Sequence, residues 1–264
     1  MDVLVEDIVA MLNEMAPPRL AEAWDNVGLL VGRTKKPVRV ILCALDFSEE
    51  VLEQARTLRA DLIVTHHPAI FEGVKQLTDQ NWQTSLLLQA ARTDIAVYSA
   101  HTNLDSAVGG VNDVLAGLLE LTNVETLTGE DESLEGLGRV GSLAVPMSAE
   151  AFAQKVKKAL HLPQVTLVPA CRPVHKVALC GGSGMSLLDA AAASGADTFV
   201  TGDIKYHDAQ DARGKQINLI DATHQGTELP VVNHIADRLS LRLSKEHAPV
   251  KVLVAKETLL MQMV

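Results

Sequence analysis

Two adjacent histidines mark the first place where this sequence could do chemistry. His66 and His67 lie in the stretch VTHHPAIF, directly after an apolar run that ends at Thr65. Consecutive side chains of a strand point to opposite faces, so a strand that continued would place one imidazole in an apolar layer. Pro68 also cannot donate to a β-ladder. The strand is therefore expected to end before the pair. Imidazoles in that position are candidates for metal binding and for proton transfer.

Histidines and carboxylates recur together after three further strand-like runs. In an open α/β sheet, ligands gather beyond the carboxyl ends of the strands, so these side chains are candidates for one site. Imidazole with carboxylate suits a divalent metal of intermediate hardness, such as zinc, manganese, iron or cobalt, and the number of donors is sufficient for two ions that share a carboxylate. The further candidates are His101 and Asp105 in AHTNLD, Asp203 and His207 in TGDIKYHDA, and His224 and Glu228 in ATHQGTELP.

Each of these residues, taken singly, also has an ordinary structural role open to it. A histidine pair can hydrogen-bond within a loop, and His101 can cap a neighbouring carbonyl. Asp105 can form a turn before Gly109, and Glu228 can stabilise a helix N-terminus, for which Thr227 is the expected N-cap. The occurrence of all these residues after the ends of strand-like runs favours metal binding over separate structural roles.

The elements that would position these residues occur in two copies. The segment PVRVILCALDFSEEVLEQARTLRADLIVTHH aligns without a gap with PVHKVALCGGSGMSLLDAAAASGADTFVTGD, and the alignment pairs Asp61 with Asp197. Each copy has the pattern of a strand, a turn, a helix and a strand, and DIAVYSAH or QINLIDATH then supplies a third strand. Shared αβ composition is the alternative explanation. We expect an α/β fold of two related lobes with parallel or mixed sheets, and a metal site between the lobes at the carboxyl ends of strands.

The repeat suggests boundaries for the lobes. We expect a first α/β lobe over 1–120, a connecting accessory segment over 121–172 and a second lobe over 173–264. The accessory segment contains an acidic stretch, GEDESLEGLG, which is typical of an exposed loop. The late strand PVKVLVA is expected to close the second lobe. The glycine-rich stretch 181–184, at an expected helix start, is a candidate for holding an anion.

Composition excludes several classes of protein. The 264 residues carry 33 acidic and 23 basic side chains, a formal net charge of −10 that disfavours nucleic acid, and the aromatic content of 3% leaves few platforms for stacking bases. No apolar run approaches the roughly 20 residues of a membrane-spanning helix. The acidic N-terminus is unlike a signal peptide, so we expect a cytoplasmic protein. The 3 cysteines lack CxxC spacing, which argues against disulfides and a thiolate zinc site.

Taken together, the motifs HHPAIF, AHTNLD, WDNVGLLVG, TGDIKYHDAQDA and ATHQGTE resemble those of the Nif three-like family. Its members are often called GTP cyclohydrolase I type 2 homologues or dinuclear metal centre proteins. The resemblance covers nearly the whole chain, in a short form without the domain that longer relatives insert. Thr223 stands where the resemblance leads us to expect glycine. The motifs resemble a metal-binding set, and the ligands that this implies are His66, His67, Asp105, His224 and Glu228.

Other expectations follow from the same resemblance. It implies two divalent metal ions per chain, of zinc, iron or manganese, and a homohexameric ring with the sites facing an inner cavity. His101 would lie close to the metals and is our candidate for proton transfer. The WDNVGLLVG stretch is either a substrate-side loop or a turn that leads into an edge strand, with Trp24 in a packing role.

Two functions remain open on the sequence. One is a metal-dependent hydrolase that acts on a nucleotide such as GTP or a related small molecule, although the sequence contains no GxxxxGK[ST] phosphate loop. The alternative is a non-catalytic protein that handles metal or serves as a scaffold. Neither function implies a membrane or a nucleic-acid partner.

Overall fold

The computed structural model describes residues 2–128 and 134–262. Within these ranges the chain alternates helices with strands, as the sequence predicts. The α-helices are α1 (Val5–Met15), α2 (Glu49–Leu58), α3 (Trp82–Arg92), α4 (Thr102–Ser106), α5 (Val111–Leu118), α6 (Ala149–Ala159), α7 (Leu188–Ala193), α8 (Tyr206–Gly214) and α9 (His224–Lys245). The strands are β1 (Gly28–Val31), β2 (Val40–Ala44), β3 (Leu62–Thr65), β4 (Ala96–Ser99), β5 (Thr122–Thr128), β6 (Leu137–Met147), β7 (Thr166–Val168), β8 (Val174–Leu179), β9 (Thr198–Thr201), β10 (Asn218–Asp221) and β11 (Lys251–Val254).

Helix starts follow the local sequence. The Ser48 hydroxyl accepts the backbone N–H of Val51 at the start of α2, and the Ser148 hydroxyl accepts that of Ala151 at the start of α6. Both are preferred capping residues because their short oxygen satisfies a donor that the first turn leaves without an intrahelical acceptor.

The chain forms two compact units. The first comprises Met1–Leu104 and Val231–Thr258, and the second comprises Asp105–Pro230 and Leu259–Val264. The first unit contains a five-stranded sheet of order β1-β4-β3-β2-β11, in which β11, β2, β3 and β4 are parallel and β1 is antiparallel at one edge. Leu42, Ile63 and Val97 of its central strands are buried against apolar residues of α2 and α3.

The second unit contains a six-stranded sheet of order β5-β6-β8-β9-β10-β7. Its three central strands β8, β9 and β10 are parallel, and the outer strands are antiparallel to their neighbours. Alternate residues face opposite sides, as strand geometry requires. Val200 and Ile220 belong to a core cluster that includes Phe152 of α6, whereas Phe199 and Leu219 belong to one that includes Ala212 of α8.

The two βαβ copies share a hydrogen-bonding detail that confirms the internal repeat. The Asp61 carboxylate accepts the backbone N–H groups of Arg39 and Val40, at 2.8 and 3.1 Å. The aligned Asp197 accepts those of His175 and Lys176, at 2.9 and 2.8 Å. In each copy, the aspartate before the second strand thus fixes the start of the first.

The boundaries of the units differ from those expected from the sequence. The segment 121–172 is not a separate accessory structure, since β5, β6 and β7 are strands of the second sheet. The expectation that 249–255 closes the second lobe was wrong, because β11 pairs in parallel with β2. The local sequence pattern predicts that a segment is a strand, but it does not predict which strand it pairs with. Strand β11 pairs with a strand about 200 residues earlier in the chain. The first half of the predicted acidic loop, residues 129–133, lies outside the described residues.

Among the described residues, no helix combines the length and the apolar character needed to cross a bilayer. Cys43 and Cys180 are buried inside the strand layers, as their apolar surroundings predict, and Cys171 is exposed. Burial raises the pKa of the Cys43 thiol to about 12, so this thiol is a packing group rather than a reactive one.

Candidate metal centre

The first unit brings three histidines together at the carboxyl ends of β3 and β4. Strand β3 ends at Thr65, as predicted, so His66 and His67 follow it at once, and His101 lies two residues beyond β4. The possible ligand atoms of these three histidines lie within 4.8 Å of one another. His66 is fully buried, and its Nδ1 lies 2.8 Å from the Ala100 carbonyl oxygen. Because a carbonyl can only accept, Nδ1 carries the proton and the ring lone pair is on Nε2.

His67 is oriented by a carboxylate. Its Nδ1 lies 2.7 Å from Oδ1 of Asp46, which follows β2. Asp46 is held in turn by Glu257, whose carboxylate accepts the backbone N–H groups of Leu45 and Asp46 at 2.7 and 3.0 Å. Burial raises the pKa of Glu257, although these two N–H groups partly oppose the shift.

His101 forms an imidazole–carboxylate pair with Asp25 of the WDNVGLLVG stretch. Nδ1 of His101 lies 2.9 Å from Asp25 Oδ1, and the Asp25 carboxylate also accepts the backbone N–H and the hydroxyl of Thr102. The Asp25 side chain is fully buried. Burial alone would raise the pKa of Asp25, but the donors from His101 and Thr102 outweigh it and hold this pKa well below its usual range. Asp25 is therefore a carboxylate that fixes the His101 ring with its lone pair on Nε2.

The second unit carries a histidine and a glutamate one helical turn apart. Helix α9 begins at His224, so His224 and Glu228 lie on the same face, with Nε2 and Oε2 separated by 3.1 Å. Nδ1 of His224 lies 2.7 Å from Asp203 Oδ2. The expectation that Thr227 is the N-cap was wrong, because the helix starts three residues earlier and the Thr227 hydroxyl donates to the His224 carbonyl oxygen.

Thr223, immediately before α9, adopts a backbone conformation that explains why glycine was expected there. Its φ is 62°, in the left-handed region that β-branched residues rarely enter. Hydrogen bonds hold it in place. Its N–H donates to Asp221 Oδ1 at 2.8 Å, and its hydroxyl accepts the N–H of Gly226 at 3.1 Å. The sharp turn that aims His224 is thus built without glycine at this position.

Asp105 is buried on α4, and its surroundings are linked to the loop after β8. The Asn112 amide donates to the Asp105 carbonyl oxygen at 2.9 Å and accepts the N–H of Gly181 at the same distance. Burial, followed by the carboxylates of Asp105 and Glu228, raises the pKa of the Cys180 thiol. Asp105 and Glu228 therefore act electrostatically on the same buried group.

The glycine-rich loop 181–184 makes room for Glu228. A Cβ added at Gly182 would lie 2.2 Å from Glu228 Oε1, and Gly182 itself has a φ of 63°. The loop was also a candidate anion site at a helix start. In the structure it leads into a three-residue 3₁₀ helix, and three of its N–H groups donate to Asn112, Thr227 and Thr201. These donors are thus used within the fold.

Two groups of sequence-based candidates are brought together within the units. The structure groups His66, His67 and His101 in the first unit, and it places His224 beside both Glu228 and Asp203 in the second. His207 does not join them, since it lies exposed on α8 with its ring 2.9 Å from Gln210. Sequence reasoning missed the orienting roles of Asp25, Asp46, Asp203 and Glu257. Asp25 and Asp203 had a signal, since each lies in a quoted motif and Asp203 was itself a candidate.

These residues fit a divalent metal. Four of the five candidate histidines, all except His207, direct Nδ1 to a backbone carbonyl or carboxylate oxygen, which sets the tautomer and orientation that metal-binding histidines show in proteins. Neutral imidazoles and buried carboxylates such as Asp105 and Glu228 are the donors that zinc, iron and manganese accept.

Comparison with known proteins gives consistent relatives. The family model described as Duf34/NIF3 (NGG1p interacting factor 3) matches residues 3–259. A protein of Clostridium perfringens named GTP cyclohydrolase 1 type 2 homolog is 33% identical over 255 residues, which cover 96% of each chain. One of the same name from Lactococcus lactis is 36% identical over 239 residues, covering 89% of this chain and 91% of the relative. The crystal structure of a Staphylococcus aureus hypothetical protein is similar over 100% of both chains, with a TM-score of 0.95 and 30% identity.

Proposed function

We propose, since the chain belongs to the Duf34/NIF3 family, that it is a metal-dependent hydrolase with a dinuclear centre, acting on a nucleotide or a related small molecule. The residues that would hold two divalent ions are His66, His67, Asp105, His224 and Glu228. The observation that carries the proposal is the common orientation of the histidines, each with Nδ1 bound to an acceptor behind it.

Different residues of the chain have different roles in the proposed reaction. When bound, divalent metal ions supply Lewis-acid chemistry that polarises a substrate and activates water near neutral pH. Asp46 and Asp203 orient His67 and His224 and fix the tautomer that leaves the ring lone pair on Nε2. Glu228, which is buried, would supply the negative charge that lets two cations approach each other.

His101 would move the proton. Its Nδ1 is fixed on the ionised Asp25, so Nε2 is the atom that accepts a proton from water or returns it to a leaving group. The Asp25 carboxylate stabilises the imidazolium formed in that step. The possible ligand atoms of His101 lie close enough to those of His66 and His67 for all three residues to bind one metal ion. The test must therefore separate proton transfer by His101 from metal binding.

Support for the substrate class comes from the relatives named GTP cyclohydrolase 1 type 2 homolog. GTP is therefore the first substrate to try, together with other nucleotides. Turnover of this panel should be measured with protein loaded separately with iron, manganese and zinc.

A His101→Gln variant tests the proposal. In a hydrolase it should keep its metal and lose on the order of 100-fold or more in turnover. In a protein that only handles metal, wild type should turn over nothing in the panel, and the variant should change only metal exchange or affinity. Loss of a whole metal equivalent would make His101 a ligand and remove it as the proton-transfer group.

Assembly is a further part of the proposal, and the family resemblance is its support. We expect a homohexamer in a cytoplasmic setting. Light scattering that gives a particle of 28.3 kDa over a wide concentration range would contradict this expectation.

A further inference from the structure

Two large aromatic side chains lie exposed beside His101. The chain has only 2 tryptophans, 2 tyrosines and 4 phenylalanines, yet Trp24 and Phe71 occur together here. Trp24 is 59% exposed and Phe71 is 47% exposed. Their ring centroids are 5.7 Å apart, and each ring lies near the His101 ring, at 6.1 and 6.2 Å. Exposed rings of this size usually have a binding role when they border a reactive group.

The pair is held in place by polar anchors. Asp25, next to Trp24, is bound to His101 and Thr102. The Asn26 amide donates to the carbonyl oxygen of Ile70, the residue before Phe71, at 2.6 Å. The two loops that carry the rings are thereby tied to each other and to the proposed proton-transfer histidine. A preorganised surface loses little conformational freedom on binding a ligand.

We propose that Trp24 and Phe71 form an aromatic subsite that binds a planar heteroaromatic ring of the substrate and places it beside His101. The two rings are inclined at 48°, so they form an open corner in which a ligand ring can stack on one and meet the other edge-on. The chemical class is a nucleobase or a similar fused heterocycle, because such rings stack on aromatic side chains. This inference rests on the proposed function for the identity of the site.

A small ring is the occupant that fits the position. A second protein seated on Trp24 and Phe71 would cover His101 and close access to its imidazole. A planar ring held in the corner would leave room for the rest of a substrate. The assignment also gives a role to the WDNVGLLVG stretch, in which Trp24 contacts the ligand and Asp25 orients the histidine.

Binding measurements on metal-loaded protein test the subsite with two probes. GTP carries a heteroaromatic base, and inorganic triphosphate carries the same kind of anionic chain without a ring. Trp24→Ala should weaken GTP binding by about 5- to 100-fold and leave triphosphate binding unchanged. Trp24→Phe should recover most of the affinity, because it retains a ring. Phe71→Ala should act in the same direction as Trp24→Ala.

The chain offers a matched control. Trp82, the other tryptophan, is 72% exposed in the same unit, at the start of α3. Trp82→Ala should bind both probes as wild type does. In a Trp82→Phe background Trp24 is the only tryptophan, and guanosine, adenosine or cytidine should quench its fluorescence under selective tryptophan excitation. Absence of quenching by all three nucleosides at millimolar concentration would overturn the subsite.

Other outcomes separate the subsite from the proposed function. If Trp24→Ala binds GTP like wild type, the subsite is wrong even when the enzyme turns over a nucleotide. If it changes particle size by light scattering while GTP binding is unchanged, the pair is a contact between copies of the chain and the subsite is again wrong. If Trp24-dependent binding is found without turnover or bound metal, the subsite stands and the hydrolase proposal fails.

Discussion

At the scale of single residues, the main feature of the site is the set of carbonyl and carboxylate oxygens that orient the histidines through Nδ1. The spacing of His66, His67, His101 and His224 along the chain predicts that they are candidates, but it does not predict what orients them. Asp25 and Asp46 lie 76 and 21 residues from the histidines they contact. Nothing local in the sequence marks such a contact, so only the fold reveals it. Each orienting carboxylate also fixes which ring nitrogen of its histidine carries the proton, so a substitution of the carboxylate tests this role.

Replacing Asp25 with asparagine should change the pH dependence of stability. The pKa of Asp25 is lower in the folded than in the unfolded protein, so its contribution to the free energy of unfolding is fully present above the unfolded pKa of about 4 and is lost as the pH falls. Wild type should exceed Asp25→Asn in stability at neutral pH, and the gap should narrow below about pH 4.

Urea unfolding of metal-free protein at a series of pH values measures this gap. Asp79→Asn, at an exposed position in the same unit, is the control and should show no such trend. A difference in stability between wild type and Asp25→Asn that stays constant from pH 7 to pH 3 would mean that its neighbours do not lower the pKa of Asp25.

Replacing Gly182 with alanine should disturb Glu228. The added methyl group would lie 2.2 Å from Glu228 Oε1, and the left-handed φ of 63° strains any side chain. We expect the variant to bind less metal than wild type while its circular dichroism remains that of a folded protein. Gly117→Ala is the matched control, since Gly117 lies within α5 with open space around its Cβ position. Equal metal content in both variants would show that Glu228 is not a ligand.

At the scale of elements, the internal repeat was predictable because it rests on local patterns. Strand, helix and strand follow one another in both copies, and the parallel pairing of β2 with β3 and of β8 with β9 follows from the short crossover helices. The start of α9 was predicted less well. Thr227 has the chemistry of an N-cap, but the turn at Thr223 lets the helix begin at His224, so a capping residue alone did not fix the start.

The repeated aspartates should contribute similarly to stability. Asp61 and Asp197 each accept two backbone N–H groups at the start of a strand, and removing either leaves those donors without this acceptor. We expect Asp61→Ala and Asp197→Ala each to lower the free energy of unfolding by about 1–3 kcal/mol, measured by urea denaturation.

A surface carboxylate provides the comparison for the repeated aspartates. Asp189→Ala removes a partner of Lys215 at an exposed position and should have a much smaller effect. A large loss for only one of the two repeated aspartates would show that the copies are held by different interactions.

At the scale of the whole molecule, composition and pattern predicted the α/β class but not the division of the chain. The first unit contains residues 231–258, which follow the main part of the second unit in the chain, so its sheet contains strands from both ends of the sequence. Such long-range pairing depends on which edge remains open once the other strands have paired, and local periodicity carries no information about that. The positions of His66, His67 and His101 directly after β3 and β4 were still predictable, because strand ends are local features.

Elemental analysis of purified protein tests the central claim most directly. Wild type should contain up to two divalent ions per chain. The double variant His66→Ala, His67→Ala should lose at least one ion while remaining folded, because both residues follow β3 rather than lie within it. His207→Ala is the matched control, since this exposed histidine pairs locally with Gln210, and it should keep the full metal content. Equal metal content in wild type, the double variant and the control would contradict the assignment of a metal centre to these residues.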